Sequence, residues 1–139
     1  CLKEYGELPQ TSGNSPLVCI CSDSRNVVTM LMFAYPPSMQ LRQITSIREY
    51  EQMLQTEKMV GALYVDVSDA TDDGKEIWEE LQKLPQGTKA PVIAVCKEGN
   101  MAQMRYALME GQVQDILFAP LEAESLQRRV RYWLTQKSQ

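Results

Sequence analysis

Short apolar runs alternate with longer mixed segments along the chain, and this alternation predicts strands that alternate with helices. The apolar runs Leu17–Cys21, Gly61–Val67 and Pro91–Cys96 are nearly continuous, as is typical of strands that are buried on both faces. The segment Met39–Thr45 alternates like a half-buried strand, and Asp115–Phe118 predicts a last strand that ends before Ala119-Pro120.

Each predicted strand is followed by a segment with the length and apolar periodicity of a helix. Val27–Tyr35 is apolar and stops at Pro36-Pro37, and Ser46 with Glu49 three residues later predicts a capping box for Ile47–Lys58. The remaining predicted helices are Asp72–Leu84, Asn100–Gln112 and Glu122–Thr135. Strict strand-helix alternation predicts an α/β fold, a parallel sheet with helices on both faces.

The chain has 139 residues and is 44% apolar, which fits one globular domain. Residues 1–16 are rich in glycine, serine and proline, so we expect a linker or tail there. The domain is predicted to span 17–135, and 136–139 are predicted to form a C-terminal tail. No apolar run is long enough to predict a membrane segment.

Composition excludes several kinds of chemistry. The chain has no histidine, so Ser-His-Asp and Cys-His catalysis and histidine-rich zinc sites are ruled out. A pI of about 4.9 argues against nucleic-acid binding by this domain. The four cysteines form no CxxC pair, and no apolar signal-peptide segment precedes Leu17, so we expect a reduced, cytoplasmic chain.

In a parallel α/β sheet, sites form where the strands end at their carboxyl edge. The segments to consider are therefore Cys21–Asp23, Asp66–Asp69, Cys96–Glu98 and Phe118–Pro120. Asp66 closes the third predicted strand, and Asp73-Gly74 follows seven and eight residues later.

These residues give the chain a resemblance to the receiver domains of two-component response regulators, from Pro16 to Leu134. The resemblance implies a flavodoxin-like (CheY-like) fold with five parallel strands in the order 2-1-3-4-5. Asp66 matches the phosphoacceptor aspartate of the family, and Ala119-Pro120 matches its Lys-Pro dipeptide.

The sequence departs from the receiver pattern at most positions of the phosphorylation machinery. The acidic pair that holds Mg²⁺ in receivers is replaced by Cys21 and Ser22, and only the neighbouring Asp23 is acidic. The switch positions of the family carry residues without the usual hydroxyl, aromatic or cationic group: Cys96, Ile116 and Ala119.

Phosphoryl transfer depends on neutralising the charge of the transferred group, and Mg²⁺ prefers carboxylate and water oxygens. Because Ala119 supplies no cation and the acidic pair is lost, we expect no, or very slow, phosphorylation of Asp66. We also expect no enzyme activity, and no cofactor unless Asp66 is a working phosphoacceptor that uses Mg²⁺. The sequence favours a degenerate receiver, a pseudo-receiver that acts by protein–protein interaction. A working phosphoacceptor at Asp66, with Mg²⁺ held by Asp23 and Asp66, is the alternative.

The fourth and fifth helices are the predicted contact surface, because receivers commonly use this face for dimerisation or partner binding. Arginine and tyrosine, which are enriched at interfaces, occur there; a solvated helix face explains them equally well. The candidates are Arg105, Tyr106, Arg128, Arg131 and Tyr132. The expected partner is an attached or cognate histidine kinase or output domain, or a second copy.

A flavodoxin-like enzyme or nucleotide binder on the same architecture is a third hypothesis. It is disfavoured because the segment after the first strand, from Ser22 to Asn26, contains no glycine.

Overall fold

The structure is a computed structural model that describes residues 17–56, 60–84 and 90–137. The predicted linker, residues 1–16, lies outside the described residues. No helix in the described ranges is long and apolar enough to cross a membrane.

Strands and helices alternate along the described chain, as the hydrophobic pattern predicts. The strands are β1 (Leu17–Cys21), β2 (Gln40–Ile44), β3 (Val60–Asp66), β4 (Val92–Lys97) and β5 (Asp115–Ala119). The helices are α1 (Arg25–Ala34), α2 (Ile47–Thr56), α3 (Lys75–Gln82), α4 (Met101–Met109) and α5 (Ala123–Lys137). All pairings are parallel and the strand order is β2-β1-β3-β4-β5, so the predicted fold class and order are confirmed.

Several predicted helix boundaries differ from the structure. Helix α3 ends at Gln82 rather than at Leu84, and α4 covers Met101–Met109 rather than Asn100–Gln112. Helix α3 begins at Lys75 rather than at Asp72, because Asp73 and Gly74 take the left-handed conformation. The carboxylate of Asp72 then accepts the backbone N–H groups of Gly74 and Glu76, at 2.9 Å each. Helix α5 continues to Lys137, two residues past the predicted end of the domain.

Side chains of successive strand residues point to opposite faces of the sheet and form two apolar layers. One layer, which we call the α2–α4 layer, packs α2, α3 and α4 on one face; it includes Cys21, Val65 and Cys96. The other, the α1–α5 layer, packs α1 and α5 on the opposite face and includes Tyr64 and Val95. The central strands β1, β3 and β4 are buried on both faces, as their continuous apolar runs predict.

Trp78 is the largest fully buried side chain, and it lies between two glycines. A Cβ at Gly111 would come within 2.6 Å of the Trp78 ring, and one at Gly74 within 2.8 Å of Val67. Both glycines are therefore needed for the close packing of α3 and α4 around this ring.

Helix α5 is attached to the beginning of β5 through Asp115. The carboxylate of Asp115 pairs with Arg129 and accepts the indole N–H of Trp133 at 3.2 Å. This contact orients α5 along the sheet and turns Trp133 toward the α1–α5 layer.

Candidate functional site

Asp66 lies at the carboxyl end of β3, at the sheet edge where the sequence predicts a site. Its two carboxylate oxygens accept three hydrogen bonds. The Ser22 hydroxyl donates to Oδ2 at 2.6 Å, and Ser68 donates its hydroxyl and its backbone N–H to Oδ1, at 2.6 and 3.0 Å. The carboxylate is therefore held by neutral donors from its own chain.

Ser22 is itself fixed in place by the neighbouring backbone. Its side chain is 5% exposed, and its hydroxyl oxygen accepts the N–H of Ser24 at 3.0 Å. Its backbone N–H donates to Ile44, and its carbonyl accepts the side chain of Gln43 at 2.7 Å. The serine in the acidic-pair position is thus an ordered donor to Asp66.

Cys21 and Cys96 lie in the α2–α4 layer. Both thiols are free. Burial, with the negative charges of Glu49 and Asp66, raises the pKa of Cys21 to about 12. Burial and Asp66 raise the pKa of Cys96 to about 11. At neutral pH both thiols are protonated, so neither is a ready nucleophile.

Ile116 and Ala119, the two switch positions on β5, lie on opposite faces of the sheet. Ile116 packs against the α2–α4 layer, and Ala119 packs against the α1–α5 layer. Ala119 pairs in register with Lys97 of β4 and is followed by Pro120 through a cis peptide bond. Neither side chain offers a polar atom to Asp66.

Gln103 also lies at this edge of the sheet, and the sequence did not predict a role for it there. Its side chain is 1% exposed and reaches from α4 into the loop after β3. Its Nε2 donates to the carbonyl oxygens of Val67 and Ser68, at 2.7 and 3.3 Å. Its Oε1 accepts the backbone N–H of Lys97 at 2.6 Å. This side chain therefore joins the ends of β3 and β4 to α4.

A second amide contact runs beside Gln103. Asn100 caps α4 by accepting the N–H of Gln103 at 3.1 Å. Its Nδ2 donates to the carboxylate of Asp73 at 3.1 Å. The spacing of Asn100 and Gln103 matches a capping box, which was a sequence signal for the start of this helix.

The oxygens around Asp66 do not suit a divalent cation. Mg²⁺ takes carboxylate, carbonyl and water oxygens in near-octahedral geometry. The carboxylate accepts three N–H or O–H donors, and the carbonyl oxygens of Val67 and Ser68 accept Gln103. Asp23 is exposed, and the described residues include no group of three or more Asp, Glu, Cys or His placed to hold a metal. The side chains present do not fit the Mg²⁺ site that the resemblance implies.

The five predicted contact residues lie in different surroundings. Arg105 is exposed on α4, whereas Tyr106 is half-buried against the α2–α4 layer. Arg128 and Tyr132 line a polar cleft beside the start of β5, with Asp115 and Arg129. Arg131 is also on α5, but it lines a different groove, between α5 and the end of α1.

Apolar side chains are exposed on α4, β5 and α5. We define the outer surface of α4 as Met101, Arg105, Leu108 and Met109. Its three apolar members are 64%, 55% and 69% exposed in that order. Phe118 on β5 and Tyr132 on α5 are also exposed, so five of the eight exposed large apolar side chains in the described residues lie on these three elements. Neighbouring exposed apolar side chains, such as those on the outer surface of α4, are typical of contact surfaces.

Comparisons with solved structures identify the fold. The chain is similar to a response regulator from Thermotoga maritima, with a TM-score of 0.68 and 16% identity over 87% of this chain and 98% of that one. It is also similar to the receiver domain of a sensor histidine kinase from Pseudomonas aeruginosa PAO1, with a TM-score of 0.63 and 18% identity over 87% and 98% of the two chains. That structure is described with a magnesium ion coordinated in its active-site cleft.

A CheY-like receiver domain from Methylobacillus flagellatus has a TM-score of 0.59 and 15% identity, over 86% of this chain and 98% of that one. No family model matches the sequence, and the search of curated proteins finds no relative. The similarity therefore establishes the CheY-like fold. The neighbours that carry it are described as a response regulator and as receiver domains.

Proposed function

We propose that this chain is a degenerate receiver domain of a two-component signalling protein. It acts in the cytoplasm by protein–protein contact, without enzyme activity of its own and without conventional Mg²⁺-dependent phosphorylation of Asp66. The class of protein is supported by the receiver structures that share its fold. The loss of phosphorylation is supported mainly by one observation, the occupation of both Asp66 oxygens by Ser22 and Ser68.

The electrostatics of the edge support this proposal. A phosphoryl donor that approaches Asp66 brings negative charge to a negative carboxylate, and catalysis needs a cation to offset it. The residue that matches the family's lysine is Ala119, and the acidic pair is Cys21 and Ser22. Hydrogen bonds from serine hydroxyls stabilise the existing carboxylate and reduce its tendency to attack phosphorus.

The outer surface of α4 supports the contact role. Exposed methionine and leucine side chains bury apolar area readily when a partner covers them, and methionine adapts to different partner shapes. Arg105 adds a cation at the same surface. The proposed partners are an attached or cognate histidine kinase or output domain, or a second copy of this chain.

Phosphorylation is tested with a small acyl phosphate donor and Mg²⁺, followed by intact-mass measurement. A receiver known to accept phosphate is treated in parallel to show that the donor is active. We expect no phosphoryl adduct on this chain during the time in which the reference receiver is modified.

Two variants identify the site of any adduct. Asp66→Asn removes the candidate acceptor, and Asp72→Asn is the matched control because it changes an exposed carboxylate on the same loop. An adduct that is lost in Asp66→Asn and kept in Asp72→Asn overturns the degenerate assignment and establishes a working phosphoacceptor at Asp66.

A further inference from the structure

A continuous series of hydrogen bonds connects Asp66 to α4. The carboxylate holds the hydroxyl and backbone N–H of Ser68, at 2.6 and 3.0 Å. The carbonyl of the same Ser68 and that of Val67 accept Nε2 of Gln103, at 3.3 and 2.7 Å. Gln103 belongs to the first turn of α4. One loop residue, Ser68, and the side chain of Gln103 thus connect the carboxylate to the helix.

The positions that the resemblance assigns to switching provide no such connection. The Cys96 side chain is fully buried in the α2–α4 layer, and Ile116 has no polar side-chain atom. Gln103 is fully buried as well, but its amide is hydrogen-bonded at both ends. A buried amide with all its groups paired has one favoured arrangement, and a change at either end must move it or leave a buried polar group unpaired.

We propose that Gln103 couples the state of Asp66 to the position of α4 through Ser68. When a partner contacts Asp66 and takes over its hydrogen bonds, Ser68 loses its anchor. The loop from Val67 to Ser68 then moves away from Nε2 of Gln103, and the first turn of α4 loosens. The coupling regulates the outer surface of α4. Because it takes that surface as the contact site, the coupling rests on the proposed function.

A double-mutant cycle tests this coupling by amide hydrogen exchange, measured residue by residue by NMR. Asp66→Ala removes the anchor of Ser68, and Gln103→Met removes the amide while keeping a similar volume. In the wild-type background, we expect Asp66→Ala to speed exchange at Gln103 and Met104 by about three- to tenfold, the effect of losing one hydrogen bond. In the Gln103→Met background, the same substitution changes exchange there by less than about twofold.

The control background is Asp73→Gly, because Asp73 makes the parallel contact to Asn100 and does not touch Ser68. Glycine accepts the left-handed conformation of Asp73 without strain. In this background the effect of Asp66→Ala on Gln103 and Met104 remains three- to tenfold. Equal effects in all three backgrounds, or no effect of Asp66→Ala on α4 in the wild type, overturn the proposal.

A second variant keeps the test decisive if Gln103→Met does not fold. Gln103→Glu retains an acceptor for the N–H of Lys97 and loses the donor to Val67 and Ser68, so the coupling must also be lost there. The readout needs neither a phosphodonor nor a partner. Failure of this cycle and failure of the phosphorylation experiment are therefore separate results.

Discussion

The Asp66 site is hydrogen-bonded within the chain, whereas the outer surface of α4 exposes apolar side chains to solvent. Around Asp66, the carboxylate and the neighbouring carbonyl oxygens are hydrogen-bonded within the chain. On α4, Met101, Leu108 and Met109 expose more than half of their area to solvent. The internally paired site offers little to a small ligand, whereas the open surface gains free energy when a partner covers it.

This difference separates two roles that one receiver domain can combine. Chemistry at a strand end needs charges that are available to a substrate, and recognition needs surface that is available to a partner. The chain retains an exposed surface for a partner more clearly than charges that are available to a substrate. The following experiments test this contrast, in order from the largest expected change in stability to the smallest.

The first prediction concerns alkaline pH and the buried thiols beneath Asp66. The pKa of Cys21 is raised from 9.0 to about 12, so above pH 9 the unfolded chain loses a proton that the folded chain keeps. This stabilisation is present at low pH and is lost as the pH rises through 12. From Cys21 alone, the free energy of unfolding should fall by roughly 4 kcal/mol at pH 12.

Urea unfolding at a series of pH values above about 8 measures this fall. The raised pKa values of Cys96, Tyr35 and Tyr64 act in the same direction, so Cys21→Val isolates one contribution. The variant should lose less stability than the wild type over this range. Identical pH dependence of the two proteins would show that Cys21 is not protected by burial.

The second prediction concerns the buried amide of Gln103. Gln103→Leu leaves the carbonyl of Val67 with one donor fewer and the N–H of Lys97 without its acceptor. We expect the free energy of unfolding to decrease by about 2–3 kcal/mol. Gln127→Leu, at an exposed position on α5, is the control and should change stability by less than about 0.5 kcal/mol. Equal values for the two variants would contradict the assigned role of Gln103.

The third prediction concerns Mg²⁺ binding after a second carboxylate is introduced beside Asp66. Ser22→Asp replaces a hydroxyl that donates to Asp66 at 2.6 Å by a second carboxylate, which repels the first. We expect a loss of about 1–2 kcal/mol at neutral pH in the absence of divalent cations. Addition of Mg²⁺ should raise the Tm of this variant, because two carboxylates provide the ligands that the cation prefers.

Ser22→Asn is the matched control, since it has nearly the same shape and no charge. Its Tm should not respond to Mg²⁺ beyond the general effect of salt. An equal rise in Tm for the wild-type chain would refute the conclusion that the site does not fit this cation.

The fourth prediction concerns the outer surface of α4. Leu108→Ser with Met109→Ser removes apolar area that is already exposed, so stability should change by less than about 0.5 kcal/mol. Self-association, measured by sedimentation at high concentration, should decrease if the outer surface of α4 contacts a second copy. Met32→Ser with Phe33→Ser makes a comparable change on α1 and should leave association unaffected. The reverse result would move the contact surface to α1.

The sequence predicted the elements well because their signals are local. Continuous apolar runs identify β1, β3 and β4 as buried strands, and Ser46 with Glu49 marks the start of α2. The position of Asp66 at a strand end followed from the same pattern. The pairing of Ser22 with Asp66 spans 44 residues and depends on two strands lying side by side, so no local signal specifies it.

Gln103 shows more sharply why the site was only partly predicted. A glutamine in the first turn of a helix is typically solvated or part of a cap, and its spacing from Asn100 is consistent with that interpretation. Its burial arises because α4 begins directly above the loop that leaves β3, a relation that only the tertiary packing creates. The same holds for Arg131, which lines a groove between α5 and the end of α1.

The placement of the two tryptophans has a spectroscopic consequence. Trp78 is fully buried between Gly74 and Gly111 in the α2–α4 layer, and its indole N–H has no hydrogen-bond partner among the described residues. Trp133 packs against the opposite layer and donates its N–H to Asp115. Fluorescence of Trp78→Phe and Trp133→Phe therefore follows one layer at a time, and unequal unfolding curves would reveal that one side of the sheet opens before the other.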